Sequence, residues 1–594
     1  MILTAAPPAG GAAMTQILIV TAGAAVVTAL LLQVVVGLRS GRASKLRLAA
    51  SFWERASGKP GWIAIPTAVI ITFLILALFG MLWDISLHIA DGRDEGPLAN
   101  PAHFYILIGL FGVFTAGVLA IAMPREKPGP TAVRITKDWY APLGGILIAA
   151  CGAFSLLGFP LDDVWHRMFG QDVTLWGPTH LMLIGGAAMS LLGLAVLLVE
   201  GGAAKRSPDE PIWVTLLRQA ALPGAFLLGL STFQAEFDFG VPQFRLVLQP
   251  MLIMFAAGGA LTLARLWLGR GAAIGAVVFF LAMRGVIALL VGVKFGEPTP
   301  YLPLYLVEAL IVEAVALRVP RRRPLAFALW CGALIGTLGL AAEWAWSRLV
   351  MPIPWPSTLL PEAVLLAIPM AVAGALIGAW VGARLSAAVI PRRPSLAIAA
   401  AISSVLVVSL IGYALFKPAD SGVRGRVVLE QVRAGPERMV EATVALDPPS
   451  AAEDAEWFTG TAWQGGGFTT EPLEEIRPGV YRTTAPLPVH GTWKAMLRLH
   501  SGRSLTALPV YFAADEAIPA AEIPALPRFD RPFVADHELL QREQKSGVSP
   551  LVSVAGYGGV LAITLGFLAL FAWAVHRLGK AEAASGRRGE ESRG

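Results

Sequence analysis

The sequence predicts an all-α polytopic membrane protein of about thirteen transmembrane helices with a small extracytoplasmic β-sandwich domain. Three observations carry this reading. Of 594 residues, 55% are hydrophobic and 15% charged, against roughly 25% charged in a soluble domain. Apolar stretches of about 20 residues, enough to cross a bilayer, recur almost without pause. One interval, 418–548, abandons that pattern for alternation broken by Gly and Pro.

The spans fall at 16–38, 62–83, 103–123, 141–158, 178–199, 212–232, 246–267, 272–293, 302–318, 325–346, 361–383, 396–416 and 550–574. The net charge of +6 is not a nucleic-acid signal, because the Lys and Arg residues sit in short loops, where they report orientation. Arg39, Arg42, Lys45, Arg47, Arg55 and Lys59 place the loop after the first span in the cytoplasm and the N-terminus outside. The next loop, with Asp84, Asp91, Asp94 and Glu95, is then outside. On the same count Arg134 and Lys137, Arg321 to Arg323, Arg392 and Arg393, and the tail with Arg577, Lys580, Arg587 and Arg588 all fall inside. The first segment lacks a basic n-region and a cleavage site, and reads as a helix rather than a signal peptide. The chain therefore divides into a plasma-membrane domain at 1–417, an outer domain at 418–548, and a last helix with a basic cytoplasmic tail at 549–594.

In the outer domain, 426–432, 439–446 and 493–499 alternate as strands, and the Pro-rich run from Ala517 to Pro532 reads as an extended connection to the last helix. His490 and His500 read as surface residues. Cys151 and Cys331 lie singly in apolar spans, which excludes a disulfide framework, a zinc ribbon and a CxxC redox pair. Residues 418–548 hold no Cys, so the outer domain has no blue-copper thiolate.

An internal repeat carries the chemistry. Asp84, His88, Gly92, Asp94, Pro101 and His103 recur as Asp162, His166, Gly170, Asp172, Pro178 and His180, with one residue of difference in spacing. An Asp and a His four apart share a helix face and can converge on one ion. A glycine then lets the chain reverse, and Pro at the first turn starts the next helix with its His two residues inside. Ionisable groups near a bilayer are costly and are usually retained for a site, an ion path or a relay. The competing reading has the His residues capping helix ends while the aspartates enforce sidedness. Two carboxylates and two imidazoles per copy suit a divalent transition metal, in two mononuclear sites or one shared site. Two His with one Asp match a non-haem iron set, imidazole-rich sites suit copper or zinc, and calcium fits least. The candidate ligands are Asp84, His88, His103, Asp162, His166 and His180, with Asp94, Asp163 and Asp172 as candidate additions.

The arrangement of Asp, three residues, His, and a second His a little over a dozen residues on, at the outer ends of helices, resembles the copper-binding motif in the C subunit of particulate methane and ammonia monooxygenases. The resemblance covers about 100 residues. It implies copper, ahead of iron or zinc, and a monooxygenase-like oxidoreductase acting on a small apolar substrate that arrives through lipid. The outer domain is similar to FixH-like or cupredoxin-like sandwiches, which implies an outer-face oxidase or other membrane subunits as partners.

Arg284, Glu308 and Glu313 lie deep in the eighth and ninth spans and are expected to face one another, as a proton or substrate path or as a structural ion pair. Glu236, Asp238, Glu343 and Glu362 fall on the outer side, as supplementary ligands or solvated charges. With no P-loop, GxGxxG, GxSxG or HExxH motif, nucleotide partners and common hydrolase chemistries have no support. The sequence thus points to a membrane metal protein acting in oxidative chemistry or metal handling. An ion- or proton-coupled transporter and a structural subunit of a membrane complex are the alternatives.

Overall fold

A computed structural model of the chain describes residues 14–94, 98–170, 174–202, 210–386, 394–418, 422–516, 518, 520–540 and 547–591. Among these, twelve helices are long and apolar enough to cross a membrane. The first five are α1 (Met14–Arg39), α3 (Gly61–Ala90), α4 (Pro101–Ala122), α5 (Leu143–Phe169) and α6 (Pro178–Glu200), with a short amphipathic helix, α2 (Ser44–Ser57), between α1 and α3. They are followed by Ile212–Asp238, Leu248–Leu268, Ala272–Lys294, Pro324–Val350, Ser357–Leu385, Pro394–Leu415 and Pro550–Gly579. The Leu248–Leu268 helix is the most enclosed by protein and α1 the least. Small residues let the central helices touch backbone to backbone. A Cβ added at Gly258, for example, would overlap the Ala371 carbonyl.

The expected ninth span, 302–318, is not a full helix. Pro298, Pro300 and Pro303 remove N–H donors and hold the chain extended, so the helix begins only at Leu306 and runs for 13 residues to Arg318. Non-helical backbone at membrane depth is tolerated only where protein satisfies it, and here it does. The Tyr301 N–H donates to the Asp238 carbonyl at 3.0 Å, and Arg284 donates to the Tyr301 carbonyl at 2.6 Å. Glu343 accepts the N–H groups of Leu304 and Tyr305 at 3.1 and 2.5 Å.

Strands β1 (Val133–Thr136) and β2 (Trp139–Ala141) form a small hairpin between α4 and α5. The β-domain follows the Pro394–Leu415 helix. Its strands are β3 (Arg424–Arg433), β4 (Met439–Asp447), β5 (Ala455–Trp463), β6 (Phe468–Arg477), β7 (Val480–Thr483), β8 (Leu487–Pro488), β9 (Lys494–Ser501), β10 (Ser504–Phe512), β11 (Arg528–Pro532) and β12 (Val534–Ala535). All pairings are antiparallel, in the order β11-β3-β4-β7-β6-β5-β9-β10-β12, with β8 on β4. β6 is shared: Phe468–Pro472 pairs with β5 and Leu473–Arg477 with β7, so the sheet folds over itself as a sandwich. Alternation along β4 buries Val440, Ala442, Val444 and Leu446 against Leu497, Leu508 and Val510. The Pro-rich stretch is more than a connection, because its end supplies β11 and β12 follows directly.

The β-domain docks on the helix that carries the first copy of the repeat. The last carbonyls of a helix lack partners of their own. The turn after β5 provides them: Gln464 N–H donates to Ile89, and Gly466 and Gly467 N–H donate to Ala90, at 3.0, 3.0 and 3.3 Å. Arg93 adds a two-pronged pair with Asp515, both contacts at 3.1 Å.

Candidate metal centre

In the first hairpin, the last turns of α3 place Asp84 and His88 on one face, and Gly92, at φ +90°, turns the chain back. Asn100 is the N-cap of α4, its Oδ1 accepting the Ala102 N–H at 2.8 Å, with Pro101 at the first helical position. His103 then points back across the hairpin. Four donor groups, from Asp84, His88, Asp94 and His103, converge within 4.8 Å of one another. His88 Nε2 lies 3.5 Å from both Asp84 Oδ1 and Asp94 Oδ2, and His103 Nε2 lies 3.1 and 3.6 Å from the same two oxygens. Donors around a tetrahedral ion with bonds of about 2.0–2.1 Å stand about 3.3–3.4 Å apart, and the four carboxylate–imidazole separations here fall close to that spacing.

The hydrogen bonds set the direction of the lone pairs. His88 Nδ1 lies 2.8 Å from the Gly92 carbonyl, which can only accept, so Nδ1 carries the hydrogen and a neutral ring turns its Nε2 lone pair toward two carboxylates. Lone pair against carboxylate is repulsive unless a proton or metal ion lies between. Asn100 Nδ2 donates to Asp84 Oδ1 at 2.5 Å and to Asp94 Oδ2 at 3.1 Å, holding the two carboxylates together.

The second hairpin repeats this with different supports. Asp162, His166 and His180 converge within 4.8 Å, with Asp162 3.7 Å from His166 Nε2 and 3.4 Å from His180 Nε2. His180 Nδ1 lies 2.6 Å from the Thr174 carbonyl, and the Thr179 hydroxyl donates to Asp162 at 2.6 Å. Glu236, buried, accepts the Thr174 hydroxyl at 2.7 Å and the Leu175 N–H at 2.8 Å. It braces the loop whose carbonyl aligns His180 and does not join the donor group. Asp163 is a correction to the expected set: it pairs with Arg167 at 2.8 Å, one turn on. Asp172 lies outside the described residues.

Both groups line one cavity of about 930 Å³, and they do not merge into a single donor set. Below them its walls are apolar, with Leu110, Phe114, Leu156, Leu183 and Leu228, while α1 flanks it through Ile17 and Val20. Trp463 and Gln464 of the β-domain also border it. Gln464 packs on Gly92, the residue that aligns His88.

The expected Arg284, Glu308 and Glu313 network does not form. Arg284 pairs with Asp238 at 2.8 Å, both side chains buried. Glu313 pairs with Arg265 at 2.9 Å and accepts the Gly271 N–H at 3.0 Å, while Glu308 stands apart. Glu308 and Glu313 lie five residues apart on one helix, about 140° around its axis, and therefore meet different neighbours. Among the candidate supplementary ligands, Glu362 pairs with Arg245 at 2.5 Å and Glu343 serves the extended backbone. His500 is not a surface residue: it is 1% exposed, 2.9 Å from Glu456 and stacked on Trp457. β9 is covered on both faces, by the sandwich core and by the membrane domain, where Arg498 reaches the Pro242 carbonyl.

Asn100, Thr179, Glu236 and the Gln464 turn are the site residues that the sequence reading missed or ranked low. Asn before Pro at a helix start is a legible cap signal. Its second task, tying two carboxylates, is visible only in three dimensions. Comparison with known protein families, curated proteins and solved structures finds no match to this chain. Fold and site together describe a multi-pass membrane protein with a β-sheet domain and two His/Asp groups whose arrangement is compatible with metal binding.

Proposed function

We propose that this chain is an integral membrane metalloprotein with two mononuclear sites, one per hairpin, that carries out oxidative chemistry on a lipid-soluble substrate, with copper as the metal. The observation that carries the reading is the carbonyl lock on His88 and His180, which turns an Nε2 lone pair toward carboxylates in both copies. Asp84, His88, Asp94 and His103 would hold one ion, and Asp162, His166 and His180 the other. The donor set is N and O only, which suits copper, iron or zinc; the motif resemblance favours copper. A bound copper ion supplies redox and Lewis-acid chemistry. The protein's part is to fix the imidazoles through backbone carbonyls and the carboxylates through Asn100 and Thr179, and to present an apolar chamber beside them. The apolar part of that chamber suits a lipid-soluble substrate, while Arg167, Thr174, Gln243 and Gln464 line its polar end beside the donor groups. On the charge pattern of the loops, both sites face the outside of the plasma membrane.

Detergent-purified protein is expected to contain stoichiometric metal that disappears in His88→Ala plus His166→Ala, and to consume oxygen when a reductant is supplied. Equal metal in both proteins, or none in either, contradicts the sites. Metal without oxygen consumption retains the sites and removes the oxidative role.

A further inference from the structure

Another set of ionisable side chains lies within the membrane domain, apart from the hairpins, at the break before the Leu306–Arg318 helix. Glu343 accepts the N–H groups of Leu304 and Tyr305, the residues at the break. Glu308, in the first turn after it, faces the same neighbouring helix: a Cβ added at Gly339 would lie 3.0 Å from its Oε1. Gly339 and Glu343 are four apart and share a helix face, so the two carboxyl groups are neighbours in one helix–helix seam. Glu308 is 0% exposed and Glu343 2%.

Hydrogen-bond donors are divided unequally between them. Glu343 has two N–H partners, while neither oxygen of Glu308 has a hydrogen-bond partner among the described residues. The nearby cation is already committed, because Arg284 is bound to Asp238 and to the Tyr301 carbonyl. The Tyr305 hydroxyl donates to Ser231 at 3.0 Å. A carboxylate without donors in a low-dielectric seam is far costlier than the neutral acid.

We infer that Glu308 and Glu343 form a proton-binding site separate from the two hairpins, in which Glu343 is the carboxylate and Glu308 carries the proton. The local chemistry selects a proton over a metal or alkali cation. The pair includes no imidazole or thiol, and the backbone groups directed at Glu343 are N–H donors, which repel a cation. Interrupted helices are where membrane proteins commonly bind coupling ions, and the neighbouring helix is itself locally π-helical at Ile335–Gly339, directly against Glu308.

Infrared difference spectroscopy of the full-length protein in lipid nanodiscs at neutral pH tests this. The wild type is expected to show the high-frequency C=O stretch of a protonated carboxyl that accepts no hydrogen bond. The band should shift in D2O, vanish in Glu308→Gln and persist in Glu343→Gln. Glu308→Gln replaces a neutral acid by an amide of the same shape and should retain the wild-type circular-dichroism spectrum and thermal midpoint, which serve as the folding control. Survival of the band in a folded Glu308→Gln protein would overturn the proposal, as would its loss from the wild type on addition of sodium, which would assign the site to an alkali cation. If Glu308→Gln does not fold, the wild-type spectrum decides, because absence of the band there is contradictory without any variant.

Discussion

The two hairpins share a motif and differ in how they support it. In the first, the locked imidazole closes the incoming helix, His88 on the Gly92 carbonyl; in the second it opens the outgoing helix, His180 on the Thr174 carbonyl. Asn100 caps α4 and ties Asp84 to Asp94, whereas Gly177 takes the cap position of α6 and Thr179 reaches Asp162 alone. What recurs is the geometry of the donor atoms. The residues around them are whatever each local backbone leaves within reach. More charge and more anchoring in the first hairpin make it the tighter of the two sites, since partners that orient ligands strengthen metal binding.

The largest effect expected is that of Asp84→Ala. Asp84 touches both imidazoles of its hairpin and Asn100, so the variant should lose the first site by well over about 100-fold in affinity while the second site still titrates normally by calorimetry. Loss of both together would mean that the hairpins form one shared site.

Asn100→Ala should come next. Losing a support of this kind typically costs roughly 10–100-fold in metal affinity, and losing the cap costs about 1 kcal/mol of stability. Thr179→Val, which removes one hydroxyl donor and leaves the helix cap intact, should weaken the second site by less. Equal losses in the two variants would remove the proposed difference between the hairpins.

How far these residues could be read in advance depends on what sets them. Most spans follow from a bilayer thickness that composition alone reveals, and β4 follows from strict alternation, but α3 and α5 run on to Ala90 and Phe169, past the expected ends at 83 and 158, because their polar last turns lie beyond the apolar stretch. The convergence of Asp84 with His88 follows from helical phase. The same phase pairs Asp163 with Arg167, four residues on, and could have removed Asp163 from the ligand set. The prolines at 298, 300 and 303 could likewise have broken the ninth span. The partnership of Arg284 with Asp238, and the turn of β5 that covers the end of α3, join residues far apart in the chain, and no local pattern encodes them.

Gly92→Ala tests the coupling of the first hairpin to the β-domain. A side chain there must adopt φ +90° with its Cβ 3.0 Å from Gln464, so the thermal midpoint should fall by the equivalent of about 1 kcal/mol or more, and affinity at the first site should weaken with it. An unchanged midpoint would show that the contact carries no load. The smallest effect belongs to Asp163→Ala. A part-exposed pair with Arg167 is worth about 0.3–0.5 kcal/mol, and metal content should not change. A lost ion in that variant would return Asp163 to the ligand set.

The measurement that bears most directly on the central claim is the number of metal ions per chain in wild type, in Asp84→Ala, in Asp162→Ala and in the variant carrying both, by elemental analysis of the folded proteins. Independent sites predict two, one, one and none. A single ion in the wild type that either variant abolishes, or a content that neither variant changes, would contradict the account of two hairpins each holding its own ion.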